Sequence, residues 1–172
     1  KKTAIKGMPA LAKRLAMQHE IGKTDIHQGE LLSKSQHYEC TILADHNRIS
    51  VIFDRSLGLY LLSGKDPRKN NRPNDLHDIK FSNQMLNCFF KEQLVRSKIT
   101  NNESFNHFEL EQSLVKFIES FAGRKFTSFS LRDDTLHIVF AYRDYLPISL
   151  IEAATPIILN IANALVSLKY DD

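Results

Sequence analysis

The chain predicts an α+β domain: a mostly antiparallel sheet, a meander plus a C-terminal hairpin, covered on one face by about three helices. Three stretches carry this. In Arg48–Asp54, Ile49, Val51 and Phe53 alternate with Ser50, Ile52 and Asp54, the period of a half-buried strand. Phe126–Tyr145, FTSFSLRDDTLHIVFAYRDY, reads as a hairpin turning at Arg132-Asp133-Asp134, with Leu136, Ile138, Phe140 and Tyr142 on one face of its return strand. In Leu110–Ala122, Leu114, Phe117, Ile118 and Phe121 fall on one side of a helix that Gly123 stops.

The remaining elements follow in order. Pro9 suits a first helical turn, and Ala10–Glu20 holds helix formers with Leu11 and Leu15 four apart, ended by Gly22. Ile26–Ser35 has no clear period. Tyr38–Ala44, Arg48–Asp54 and Leu57–Ser63 read as three meander strands joined at Asp45-His46-Asn47 and at Asp54–Ser56. Gly64–Asp75, GKDPRKNNRPND, has almost no apolar group and predicts a loop. Met85, Leu86, Phe89, Phe90 and Leu94 recur at helical spacing and predict a helix over Asn83–Arg96, with a strand in part of it as the competing reading. Pro147 and Ser149 open a last helix to about Leu168, which Pro156 should kink or split. Residues 1–34 read as a basic N-terminal helical segment and residues 35–172 as one α+β domain.

At 172 residues, 42% hydrophobic and 25% charged, the chain is ordinary for a globular domain. No apolar run reaches the roughly 20 residues of a membrane span. Net charge is +3, unevenly divided. Residues 1–98 hold 17 Lys+Arg against 10 Asp+Glu, or +7; residues 99–172 hold 6 against 10, or −4. Cys40 and Cys88 lack metal spacing and read as buried, inert thiols.

The chemical motifs point away from catalysis. None of His19, His27, His37, His46, His77, His107 and His137 stands four residues from another, so no helical metal pair forms. His137 reads as a half-exposed strand histidine. There is no GxSxG elbow, and neither GxGxxG nor GxxxxGK[ST] occurs. Asp133-Asp134 is a turn and Asp171-Asp172 a chain end, so neither is a general acid–base pair. The expectation is no catalytic residue, no metal site and no cofactor. Lys65, Arg68, Lys69 and Arg72, with Lys1, Lys2, Lys6, Lys13 and Arg14, form the one candidate anion-binding group, for nucleic acid or anionic lipid. No aromatic residue is interleaved with these basic residues to stack on bases.

Leu110–Leu150 resembles the C-terminal part of a family of uncharacterised bacterial membrane-associated proteins carrying a domain of unknown function. The matching positions are Leu110, Ser113, Leu114, Phe126, Ser128, Phe129, Leu136, Ile138, Phe140, Asp144 and Leu150. The resemblance implies membrane helices ahead of this region, hence an anchor before Lys1, with the basic N-terminus on the cytoplasmic side. It implies no catalytic residue.

The resulting expectation is a non-catalytic interaction or scaffolding module with a protein partner, on the cytoplasmic side of a bacterial inner membrane or in the cytoplasm. The alternatives are nucleic-acid or anionic-lipid binding through Lys65–Arg72, and an enzyme or metal protein whose site the fold assembles.

Overall fold

The computed structural model describes residues 8–14, 18–21, 29–34, 39–44, 47–64, 76–96, 108–121, 126–142 and 146–168. In chain order the elements are α1 (Met8–Arg14), β1 (Gln18–Ile21), β2 (Gly29–Lys34), β3 (Glu39–Ala44), β4 (Arg48–Phe53), β5 (Leu59–Leu62), β6 (Leu76–Asp78), α2 (Gln84–Phe89), β7 (Glu92–Arg96), α3 (Phe108–Phe121), β8 (Phe126–Arg132), β9 (Thr135–Phe140) and α4 (Ile148–Val166). Among the described residues nine strands join one antiparallel sheet in the order β1-β2-β3-β4-β9-β8-β5-β7-β6. The α+β class is as expected.

Helix-covered residues stand in cross-strand rows. Ile49 faces Ile138, which faces Phe129; Val51 faces Leu136, then Leu131, then Leu61. All seven are essentially inaccessible to solvent and share one core with Leu114, Phe117, Phe121, Ile151 and Ile158. Burying such side chains contributes roughly 1.5–3 kcal/mol each. Phe129 is the joint of this layer. Its ring meets Phe117 of α3 at 5.7 Å and Phe90, just beyond α2, at 5.3 Å, both edge-on. Leu62 and Leu94 are also buried, but apart from this core.

Five expectations need correction. The meander is β1 to β4, and β5 does not continue it: the β8–β9 hairpin lies between β4 and β5. The aspartates of the hairpin turn hold this arrangement. Asp133 (φ 60°) accepts from Ser56 Oγ at 2.6 Å and from the Gly58 amide at 2.8 Å, while the Phe53 amide donates to the Asp134 carbonyl at 2.9 Å. Gly58 also has positive φ (65°), which glycine adopts without strain. Asp133→Asn keeps a residue type that tolerates φ > 0 but weakens both bonds. A loss of about 1 kcal/mol is expected in urea unfolding.

The helix expected over Asn83–Arg96 is α2 followed by β7. The backbone turns extended at Phe90 (φ −85°, ψ 124°), the Lys91 amide donates to the Leu62 carbonyl at 2.8 Å, and Glu92–Val95 pair with β5. Pairing with β5 and burial of Phe90 outweigh the helical spacing. Likewise α1 ends at Arg14 and Gln18–Ile21 is a strand beside β2, which itself falls in the stretch without a clear period.

Pro156 does not split α4, which runs unbroken over Ile148–Val166. The proline is exposed, so the Glu152 carbonyl that it deprives of a partner can meet water, and Thr155 Oγ1 donates to the Ile151 carbonyl at 2.7 Å in the preceding turn. Finally, Cys88 is a free, exposed thiol rather than a buried one, because the short α2 turns it outward. The side chain of Cys40 lies outside the described residues.

α1 docks on α4. Leu11 is fully buried in the core, and Arg14 holds Glu152 through two bonds, Nε–Oε1 at 2.7 Å and Nη2–Oε2 at 3.0 Å. The hydrogen bond from Arg14 keeps the Glu152 carboxyl below its ordinary range, against the opposing effect of burial. A lowered folded-state pKa means that the pair stabilises above the unfolded value of about 4.3 and that this contribution disappears as pH falls through the folded value. The expected result is loss of amide-exchange protection in α1 on acidification through that window, absent in Glu152→Gln. The pair is exposed, so global stability should change little.

Candidate functional site

Among the described residues, a surface groove lies where α3 passes the entry to α2. Between β6 and α2 the chain runs extended, burying Ile79 and Phe81 and turning Lys80 and Ser82 outward. Asn87 fixes this stretch as a neighbouring strand would: its side chain accepts from the Phe81 amide and donates to the Phe81 carbonyl, both at 2.8 Å. Asn83 then caps α2, its Oδ1 accepting from the amides of Met85 (2.9 Å) and Leu86 (3.3 Å).

Across from this turn, α3 buries Leu110, Leu114, Phe117, Ile118 and Phe121, and with them Glu111. Glu111 is 6% exposed. Its Oε2 accepts from Ser82 Oγ at 2.6 Å and its Oε1 from the Asn83 amide at 3.0 Å. Charge-assisted bonds of this kind offset the desolvation of a carboxylate. Its place in the first turn of α3, beside the helix's positive end, helps further. Glu111 is thus the latch between α3 and the start of α2.

The latch forms the floor of an open groove of about 620 Å³, lined by Ser82, Asn83, Phe108, Glu111, Gln112, Val115, Lys116 and Glu119. Among the described residues Phe108 is the most exposed large apolar side chain at 68%, and Met85 of α2 is 37% exposed. Phe108, Gln112, Val115 and Glu119 recur at i, i+4, i+7 and i+11 and form one outward stripe on α3. An aromatic ring in water beside a concave wall can do one thing well, which is to bury itself against another molecule.

Sequence reasoning missed this groove. The local signal for it is the polar residue Glu111 within the apolar series of α3. The candidate anion-binding residues Lys65, Arg68, Lys69 and Arg72 lie outside the described residues, as do Lys1, Lys2 and Lys6. Of the N-terminal cluster, Lys13 is exposed and Arg14 is engaged by Glu152.

Among the described residues, one pairing that resembles nucleophilic chemistry is on the sheet. Ser50 Oγ and His137 Nδ1, on directly paired residues of β4 and β9, share a hydrogen bond of 2.7 Å. Ser50 is 4% exposed in mid-strand, so the pair joins two strands rather than presenting a hydroxyl to substrate. Among the described residues no group of three His, Cys, Asp or Glu side chains could hold a metal ion. α4 is long and apolar enough to cross a membrane by length and composition, and its buried side packs in the core.

The sequence matches no protein-family model and no curated protein. Among solved structures, the fold is similar to the crystal structure of the mycobacterial trehalose monomycolate transport factor A, TtfA. The TM-score is 0.44 and the identity 10%, over 96% of this chain and 98% of that one.

Proposed function

We propose that this domain is a non-catalytic interaction module and that it docks a protein partner in the groove between α3 and the entry to α2. The exposure of Phe108 beside that groove carries the reading. The groove is fixed in advance by the Glu111 latch, the Asn83 cap and the Asn87 clamp, so binding there would order little backbone. In this reading the module works as a scaffold near a bacterial inner membrane, as the resemblance over Leu110–Leu150 implies.

A photo-activatable side chain placed at Gln112, inside the groove, should form a discrete adduct with one protein in cells of the source organism. The same group at Ser149, exposed at the start of α4, should not. Adducts of equal yield from both positions, or none from Gln112, count against the proposal.

A further inference from the structure

We propose, building on the docking role above, that the groove's occupant is an amphipathic helix of the partner protein whose polar side carries arginine or lysine. Three observations lead there.

The first is geometry. The stripe Phe108, Gln112, Val115 and Glu119 has the spacing by which one helix lies along another, and it extends about 16 Å at 1.5 Å per residue. Phe108 and Val115, seven residues apart, supply its apolar anchors; an apolar face on the incoming helix would cover them.

The second is Glu111. It lines the groove, is almost wholly buried, and among the described residues both of its donors, a hydroxyl and a backbone amide, are neutral. Its formal charge is therefore not cancelled by those bonds. A carboxylate has about four acceptor sites, so capacity remains for a cationic donor entering from the groove.

The third is the charge around it. Of the residues lining the groove, Glu111 and Glu119 are acidic and Lys116 is basic, in a chain whose net charge is +3. This surface therefore opposes the sign of the whole protein. It favours a basic segment and disfavours an anionic bilayer, which would meet the same carboxylates on approaching Phe108.

The test titrates the isotope-labelled full chain with three synthetic helical peptides, each about five turns long. They share a leucine face and differ only in polar residues: Arg/Lys, Gln or Glu. Vesicles of phosphatidylglycerol and phosphatidylcholine form a fourth arm. The Arg/Lys peptide should shift the amides of Gln112, Val115 and Glu119 and bind at least about tenfold more tightly than the Gln peptide. Glu119→Gln, at an exposed position that leaves the fold intact, should reduce that preference, and Glu111→Gln should reduce it further. Equal binding of the Gln or Glu peptide overturns the inference about charge but leaves the docking role standing. So does a groove that ignores the Arg/Lys peptide while Gln112 still forms its cellular adduct. Phe108-dependent binding to vesicles makes the occupant a membrane and overturns the inference. Silence in every arm, together with no adduct from Gln112, removes both proposals.

Discussion

Replacing Phe129 by alanine is expected to lower the unfolding free energy by about 4 kcal/mol, the upper part of the range for deleting a buried ring. Phe129 is 1% exposed, stands opposite Ile138 in the sheet, and is the point where α3 and the end of α2 both rest, through Phe117 and Phe90. The cavity left by its loss would be bounded by two other aromatic rings and by a cross-strand row, which cannot all move inward together. Phe129→Leu retains much of the volume and should lose about half as much. Urea unfolding followed by far-UV circular dichroism measures both. Near-equal stability of Phe129→Ala and the parent would mean that the sheet and its helices do not share one core. Many domains of this size have only about 5–15 kcal/mol in hand, so Phe129→Ala should remain folded but be sensitive to heat.

The second large effect concerns Glu111. Glu111→Leu removes the acceptor for the Ser82 hydroxyl and the Asn83 amide. Ser82 is exposed and can turn to water, whereas the Asn83 amide is held at the start of α2, so a loss of about 2 kcal/mol is expected. Glu111→Gln keeps an acceptor at the same place and should lose about 1 kcal/mol. The distinguishing readout is local. In Glu111→Leu, amide exchange should accelerate in Asn83–Asn87 before it does so in β8 and β9, since the latch joins α2 to α3 and touches neither strand. A gain of stability in Glu111→Leu would mean that the buried carboxylate is a burden the fold carries for function alone, as buried charges sometimes are.

Much of the fold was legible because its core residues keep simple periods. Ile49, Val51 and Phe53 alternate, as do Leu136, Ile138 and Phe140, and all of them are buried. The face read on α3 is the face that packs. Other elements were hidden for physical reasons. Leu86, Phe90 and Leu94 keep a helical spacing, yet β5 offers backbone partners to Glu92–Val95, and tertiary pairing outweighs a local pattern. The hairpin alternation breaks between Phe126 and Ser128, where an irregularity sets Phe126 opposite Phe140 although Phe129 faces Ile138; a strict period of two cannot place both. The order β4-β9-β8-β5 depends on pairings between distant parts of the chain, which local sequence does not encode. The groove was the least legible feature. It is made by Ser82, Asn83 and α3, about thirty residues apart, and its key polar residue looks in sequence like any solvent-facing glutamate.

Exposed Phe108 at the edge of that groove is the centre of the functional account, and one paired measurement tests it most directly. Phe108→Ser should leave thermal unfolding unchanged within about 0.5 kcal/mol, because the ring is 68% exposed and contributes little to the core. The same substitution should reduce the cellular adduct formed from Gln112 at least about tenfold, since the principal apolar anchor is gone. An undiminished adduct in a fully stable Phe108→Ser protein would contradict the account.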